Sequence, residues 1–301
     1  MEYIRESNMT VTTGITQEIL ENAVGSGEIF CAKALIYENG KGLHFNLNGI
    51  KGIMPKEEVL YTPNNSIVKD AAVITRINKN VCFEVIGFEA APEPVAILSR
   101  KVVQQKVFDD FIKNLSPGDV IPCCVTHVDT FGVFCDMGFG ITALLPIDFI
   151  SVSRINSPAD RFCDGQNIFA CVKSISPDGK IVLTHKELLG TWLENAMMFT
   201  PHTTVTGIVR SIEDYGVFIE LSPNLAGLAE ATSDVDVGDV VNVYIKSILP
   251  DKMKVKLVIL NKEKKQNYTS EIPYFITDGH IYHWQYSTDS GIKNICTDFT
   301  I

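Results

Sequence analysis

The chain has 301 residues, 46% hydrophobic and 21% charged. At roughly 100–200 residues per domain that suits two or three packed domains, and it excludes a disordered or collagen-like chain. Acidic residues number 36 against 26 basic ones, for a net charge of −10, which counts against a protein that holds nucleic acid by bulk charge. Any such binding has to lean on stacking, with acidic groups kept off the binding face. No apolar run of about 18 residues occurs, and the start MEYIRESNMT lacks the basic and apolar regions of a secretory signal. Neither a membrane span nor export is expected, so the expected location is cytoplasmic. The eight cysteines form no Cys-x-x-Cys pair and are read as reduced and structural.

The first 25 residues read as a helical segment, with a helix from about Thr16 to Val24 capped by Thr16. Residues 26–100 carry the first and weakest copy of a pattern that recurs twice. Gly42-Leu43-His44-Phe45-Asn46-Leu47 is echoed by Gly132-Val133-Phe134-Cys135-Asp136-Met137 and Gly216-Val217-Phe218-Ile219-Glu220-Leu221. A second landmark, Gly52-Ile53, Ala143-Leu144 or Gly227-Leu228, begins 10, 11 and 11 residues after the first glycine of each copy (52 − 42, 143 − 132, 227 − 216). Short alternating strands divided by Gly, Pro and Asp turns describe small antiparallel barrels, and about five strands per unit fits the OB type. The expected fold class is therefore all-β with linker helices: tandem five-stranded OB barrels over 26–100, 118–186 and 202–262.

Helical periodicity interrupts the barrels twice. In the linker 101–117, Val103, Val107, Phe111 and Leu115 recur every fourth residue; in 187–201, Leu189, Leu193 and Met197 do the same, with Trp192 beside them. The tail, 263–301, holds Tyr268, Tyr274, Phe275, Tyr282, Trp284 and Tyr286 and a turn signal at Asp278-Gly279, which suggests a short hairpin.

Strand alternation sorts the repeated motif into faces. Val133, Cys135 and Met137, like Val217, Ile219 and Leu221, are expected inside. Phe134 with Asp136, and Phe218 with Glu220, are expected outside, and Phe131 and Tyr215 precede the two glycines. Two aromatics on an outer barrel face make a platform for bases, unless they serve to cover a helix or a neighbouring module. Lys254 and Lys256 share one face of the closing strand with Lys252, as phosphate contacts or as a solvated edge, and Lys180 takes the place of Lys254 in the second unit. Arg154 and Arg161 lie in the loop SVSRINSPADRF, where phosphate contact and structural ion pairing are equally open; Phe162 beside them reads as core. The first unit departs: His44 and Lys41 stand where the aromatics would be, leaving a thin platform on His44 and a degenerate module.

FGVF from Phe131, YGVF from Tyr215, the Gly-Leu landmark and the closing Lys-x-x-Leu strand resemble the ribosomal S1 RNA-binding domain. KELLGTW from Lys186 and GIVRSIEDYGVFIELSPNLAGLAE from Gly207 are similar to short bacterial homologues of ribosomal protein S1. The resemblance covers about residues 26–262 and is weakest over the first unit. It implies a cytoplasmic protein of translation whose partners are single-stranded RNA, messenger RNA foremost, and the small ribosomal subunit. It also implies an RNA face of two aromatics, a histidine after the Gly-Leu pair and a basic residue on the closing strand. The aromatics carry over to Phe131, Phe134, Tyr215 and Phe218, and the basic residue to Lys180 and Lys254. The histidine does not carry over, since Pro146 and Glu230 stand in its place.

No cofactor, metal or small-molecule substrate is expected. Gly138-Phe139-Gly140-Ile141-Thr142-Ala143 matches a dinucleotide fingerprint in form, but a barrel strand follows it where a helix is needed. The competing function is a protein-docking scaffold. An enzyme of RNA metabolism has no motif to support it.

Overall fold

The computed structural model describes residues 6, 9–63, 66–90, 92–263, 272–288 and 294–299. The chain begins with a short helix, α1 (Gln17–Ala23), whose first turn is capped by the Thr16 hydroxyl accepting from the Ile19 amide at 3.3 Å. The first barrel follows: β1 (Phe30–Glu38), β2 (Gly42–Leu47), β3 (Ile50–Met54), then α2 (Asp70–Ile74), β4 (Asn80–Glu89) and β5 (Val95–Ser99). After α3 (Arg100–Asp110) comes the second barrel: β6 (Val120–Asp129), β7 (Gly132–Asp136), β8 (Thr142–Pro146), β9 (Asn167–Ile175) and β10 (Ile181–Thr184). A short α4 (Trp192–Met197) leads to the third: β11 (Thr204–Glu213), β12 (Gly216–Ser222), β13 (Leu225–Ala229), β14 (Val240–Leu249) and β15 (Lys254–Lys262). All three barrels close with the same strand order, first-second-third-fifth-fourth. In the first and third barrels the third and fifth strands pair parallel. This is the OB arrangement expected from the repeat.

The glycine that opens each motif has one physical cause. A Cβ on Gly42, Gly132 or Gly216 would lie 2.0, 2.5 or 2.4 Å from the carbonyl oxygen of Met54, Leu145 or Ala229. Each of those carbonyls is at or next to the end of its barrel's third strand, so the hairpin closes only where the second strand has no side chain.

The chain divides into two compact units: residues 1–115, 135–143 and 175–181, and residues 116–134, 144–174 and 182–301. In the first unit the barrel core holds Phe30, Leu43, Phe45, Met54 and Leu98, and α1 adds Leu20. The α3 helix turns Arg100, Val103, Gln104 and Val107 inward and ends at Asp110, earlier than the periodicity to Leu115 suggested. Arg100 is 2% exposed, and its guanidinium grips the Glu6 carboxylate through Nε and Nη2, both at 2.7 Å. A buried arginine survives only with such a partner.

In the second unit the third barrel, Trp192 of α4 and the tail share one core with Ile281, Trp284, Tyr286 and Phe299. The tail pairs β16 (His283–Gln285) with β17 (Cys296–Asp298). The expected hairpin therefore does not turn at Asp278-Gly279, which lies ahead of both strands; Tyr268 lies outside the described residues. Trp284 and Tyr286 fix the pairing downstream by burying themselves in that core. The second linker also differs from its periodicity. Leu193 is 40% exposed and Met197 74%, because Gly190 (φ 78°) breaks the run. Thr191 and Glu194 then cap a new helix, whose buried face is Trp192, Asn195 and Ala196. Six of the eight cysteines are buried, while Cys163 and Cys296 are exposed.

Candidate nucleic-acid interface

The third barrel presents the fullest surface. Register sets Ser211 opposite Phe218, Phe218 opposite Leu228, Leu228 opposite Lys256 and Lys256 opposite Ser247. One row of outward side chains thus runs around the barrel on five neighbouring strands. Phe218 is half-buried, and Tyr215, 69% exposed, stands edge-on to it with ring centroids 6.1 Å apart at 88°. Leu228 is exposed between Phe218 and Lys256, so the row reads aromatic, apolar, cation. Lys254 lies two residues along the same face. Both lysines are exposed and make no ion pair among the described residues. Sequence reasoning named Lys254 and Lys256 together, but only register shows that Lys256 shares the row of Phe218. It missed Leu228, which only strand pairing brings to the face. Glu230, just beyond β13, is exposed.

Inside this barrel Val217 and Ile219 are buried as alternation predicts. Leu221 is not fully inside: a bulge between Glu220 and Ser222 shifts the register and leaves it half-buried. Glu220 is not an open polar residue either, being 4% exposed and gripped by Arg210 (Nε to Oε2, 2.8 Å) and by Arg161. Of the two readings left open for Arg161, structural ion pairing holds and the phosphate role is corrected: its side chain is 4% exposed and committed to Glu220. The loop that carries it folds onto the third barrel through Val152 N–H to Asn224 Oδ1 (2.9 Å) and Ser153 N–H to the Pro223 carbonyl (3.1 Å). Arg154, in the same loop, is exposed and has no ion pair among the described residues. Phe162 is core, as expected.

The second barrel repeats the aromatic pair. Phe131 is 50% exposed and edge-on to half-buried Phe134, at 5.9 Å and 86°. A third ring joins them: exposed His127, on β6, lies nearly parallel to Phe134, at 6.4 Å and 14°. Val133, Cys135 and Met137 are buried as expected. Asp136, expected outside, is 2% exposed instead. Its carboxylate accepts from the amides of Glu6, Gly138 and Gly140 at 2.8–2.9 Å, and burial pushes its pKa up. The Gly138–Thr142 segment is therefore a loop wrapped on a carboxylate, with no room for a dinucleotide at Gly140, where a Cβ would already meet Arg100. Lys180 stands at an exposed turn just before β10 and pairs with Asp178 at 2.6 Å, a contact that holds the Asp178 carboxyl down at about 2.

Among its described residues the first barrel has no aromatic platform. Its equivalent row is Ile36, His44, Ile53, Ile97 and Gly87. His44 is only 8% exposed, so the stacking role expected of it is corrected. Burial, with Lys51 nearby, lowers its pKa and keeps it neutral; Glu38 Oε2 lies 3.3 Å from Nε2 without an aligned hydrogen bond.

Residues 115–186 match the family model described as S1 RNA binding domain. That match spans the second barrel. Beyond it, the chain is similar to proteins named small ribosomal subunit protein bS1. The one from Leuconostoc lactis is 28% identical over 79% of this chain and 58% of its own length. That from Rhodopseudomonas palustris is 27% identical over 62% and 33%. That from Staphylococcus aureus strain COL is 30% identical over 54% and 46%. The chain thus spans between a third and about three fifths of the curated relatives it matches. Among solved structures, a multidomain protein with nucleic acid binding domains from Streptococcus pneumoniae aligns over 81% of this chain and 76% of that one, at 12% identity and a TM-score of 0.26.

Proposed function

We propose that this chain binds single-stranded RNA through its second and third barrels, stacking bases on paired aromatics and meeting phosphates with the lysines beside them. The binding modules in this reading are residues 118–186 and 202–262, with 26–100 as a degenerate companion. The observation that carries it is the third-barrel row, in which an aromatic, an exposed leucine and an unpaired lysine stand side by side under Tyr215. Unstacked bases offer such a surface a face that a duplex withholds. Asp136 and Glu220, the acidic residues within the two motif strands, are buried and internally bonded, whereas Glu213, Asp214 and Glu230 of the third barrel are exposed, so stacking rather than charge has to carry the affinity there. The S1 match and the names of the relatives support a role in translation, with messenger RNA as ligand and the small ribosomal subunit as assembly, in the cytoplasm and without catalysis.

The isoleucine row of the first barrel favours a second reading, in which that barrel docks protein and RNA contact is incidental. Fluorescence anisotropy with a labelled single strand of about 20 nucleotides, long enough for two OB sites, separates the two. Micromolar binding that duplex RNA fails to compete away supports the first reading. No binding at low salt removes it and leaves docking.

A further inference from the structure

The second barrel carries one ring more than the third. His127 stands on β6 and Phe134 on β7, and the Thr126 hydroxyl donates to the Phe134 carbonyl at 3.1 Å, so the two strands are tied at this point. The two rings lie within 14° of parallel with their centroids 6.4 Å apart. Phe131 stands edge-on to Phe134 at 86°. In the third barrel the residue across from Phe218 is Ser211, and in the first the residue across from His44 is Ile36. Paired parallel rings on this face belong, among the described residues, to the second barrel alone.

We propose that His127 and Phe134 form a clip that holds one unpaired nucleobase between two rings, purine in preference to pyrimidine. The inference rests on the RNA reading above and adds to it a named subsite and a base class. A planar base in van der Waals contact on both sides requires about 7 Å between ring planes, at roughly 3.5 Å per contact. His127 is exposed, so a small side-chain rotation widens the opening. Phe134 is half-buried and supplies the fixed jaw, with Phe131 beside it. Ser211 leaves the third barrel a one-sided platform, so the two barrels hold bases differently. Stacking grows with ring area, hence the purine preference.

The test uses the full chain and 12-nucleotide RNAs, oligo(A), oligo(U), and oligo(A) with one central 2-aminopurine, whose fluorescence falls on stacking. Wild type is expected to bind oligo(A) more tightly than oligo(U) and to quench the probe. His127→Ala should weaken oligo(A) binding roughly 5- to 100-fold, reduce the quench and leave the melting temperature unchanged, since the side chain is exposed. His127→Phe should restore both signals. If His127→Ala binds like wild type while Phe131→Ala weakens binding, the clip is wrong and the RNA reading stands. If His127→Phe loses as much as His127→Ala, the ring is not a stacking jaw and the clip is again overturned. If wild type binds none of these RNAs, the RNA reading fails and takes the clip with it.

Discussion

Replacing Phe131 and Tyr215 together with alanine tests the stacking account where the fold interferes least. Phe131 is 50% exposed and Tyr215 69%, so truncation forfeits far less than the 3–5 kcal/mol typical of a fully buried aromatic. A cost of about 1 kcal/mol at each site leaves domains of ordinary stability folded. Binding has more to lose. Each ring flanks a half-buried phenylalanine at close to a right angle, and losing one stacked base per barrel removes about 1–3 kcal/mol. Taking a low value at each barrel, the double variant should lose about 2–4 kcal/mol, or roughly 30- to 900-fold in Kd. Anisotropy on the single strand reads the affinity, and circular dichroism melts confirm the fold. A folded double variant within threefold of wild type refutes the platform assignment for both barrels.

The pH dependence of stability should show His185, which is buried between the Ile150 carbonyl on Nδ1 and the Tyr274 hydroxyl on Nε2. Burial brings its pKa down from 6.5 to about 4, so the folded state resists a proton that the unfolded chain accepts. Its stabilisation is complete above about pH 6.5 and is lost as pH falls toward 4, by about 3 kcal/mol; urea unfolding should show this fall, and His185→Gln should flatten it. Glu220→Ala strips buried Arg161 of its carboxylate and leaves Arg210 only Asp160, at 3.4 Å, and should cost about 3–5 kcal/mol in denaturant melts; a loss under 1 kcal/mol would show the cluster to be dispensable. RNA affinity should depend weakly on salt, because Lys180, Lys254, Lys256 and Arg154 supply at most about four phosphate contacts: the slope of log K on log salt should be about −3 or shallower, and a slope near −6 would reveal a basic surface elsewhere.

The sequence by itself determined the barrels, their number and their inner faces. A glycine that must pass a backbone carbonyl, followed by alternating apolar residues, is a local requirement, and it recurs at Gly42, Gly132 and Gly216. The paired aromatics Phe131, Phe134, Tyr215 and Phe218 were legible for the same reason, since alternation alone turns the phenylalanines outward. Tertiary structure decided what those faces meet. Whether Arg161 is offered to solvent depends on a loop folding onto another barrel's Glu220, and no local pattern encodes such a distant partner. His44 looked exposed by alternation and is covered. His127, on a strand with no motif of its own, and Leu228, legible only as half of the Gly227-Leu228 landmark, join the candidate site through strand register, which sets side-chain neighbours across a sheet independently of distance along the chain. The bulge at Glu220 and Ser222 then breaks the two-residue rhythm on which the sequence argument relied, moving Leu221 partly out of the core.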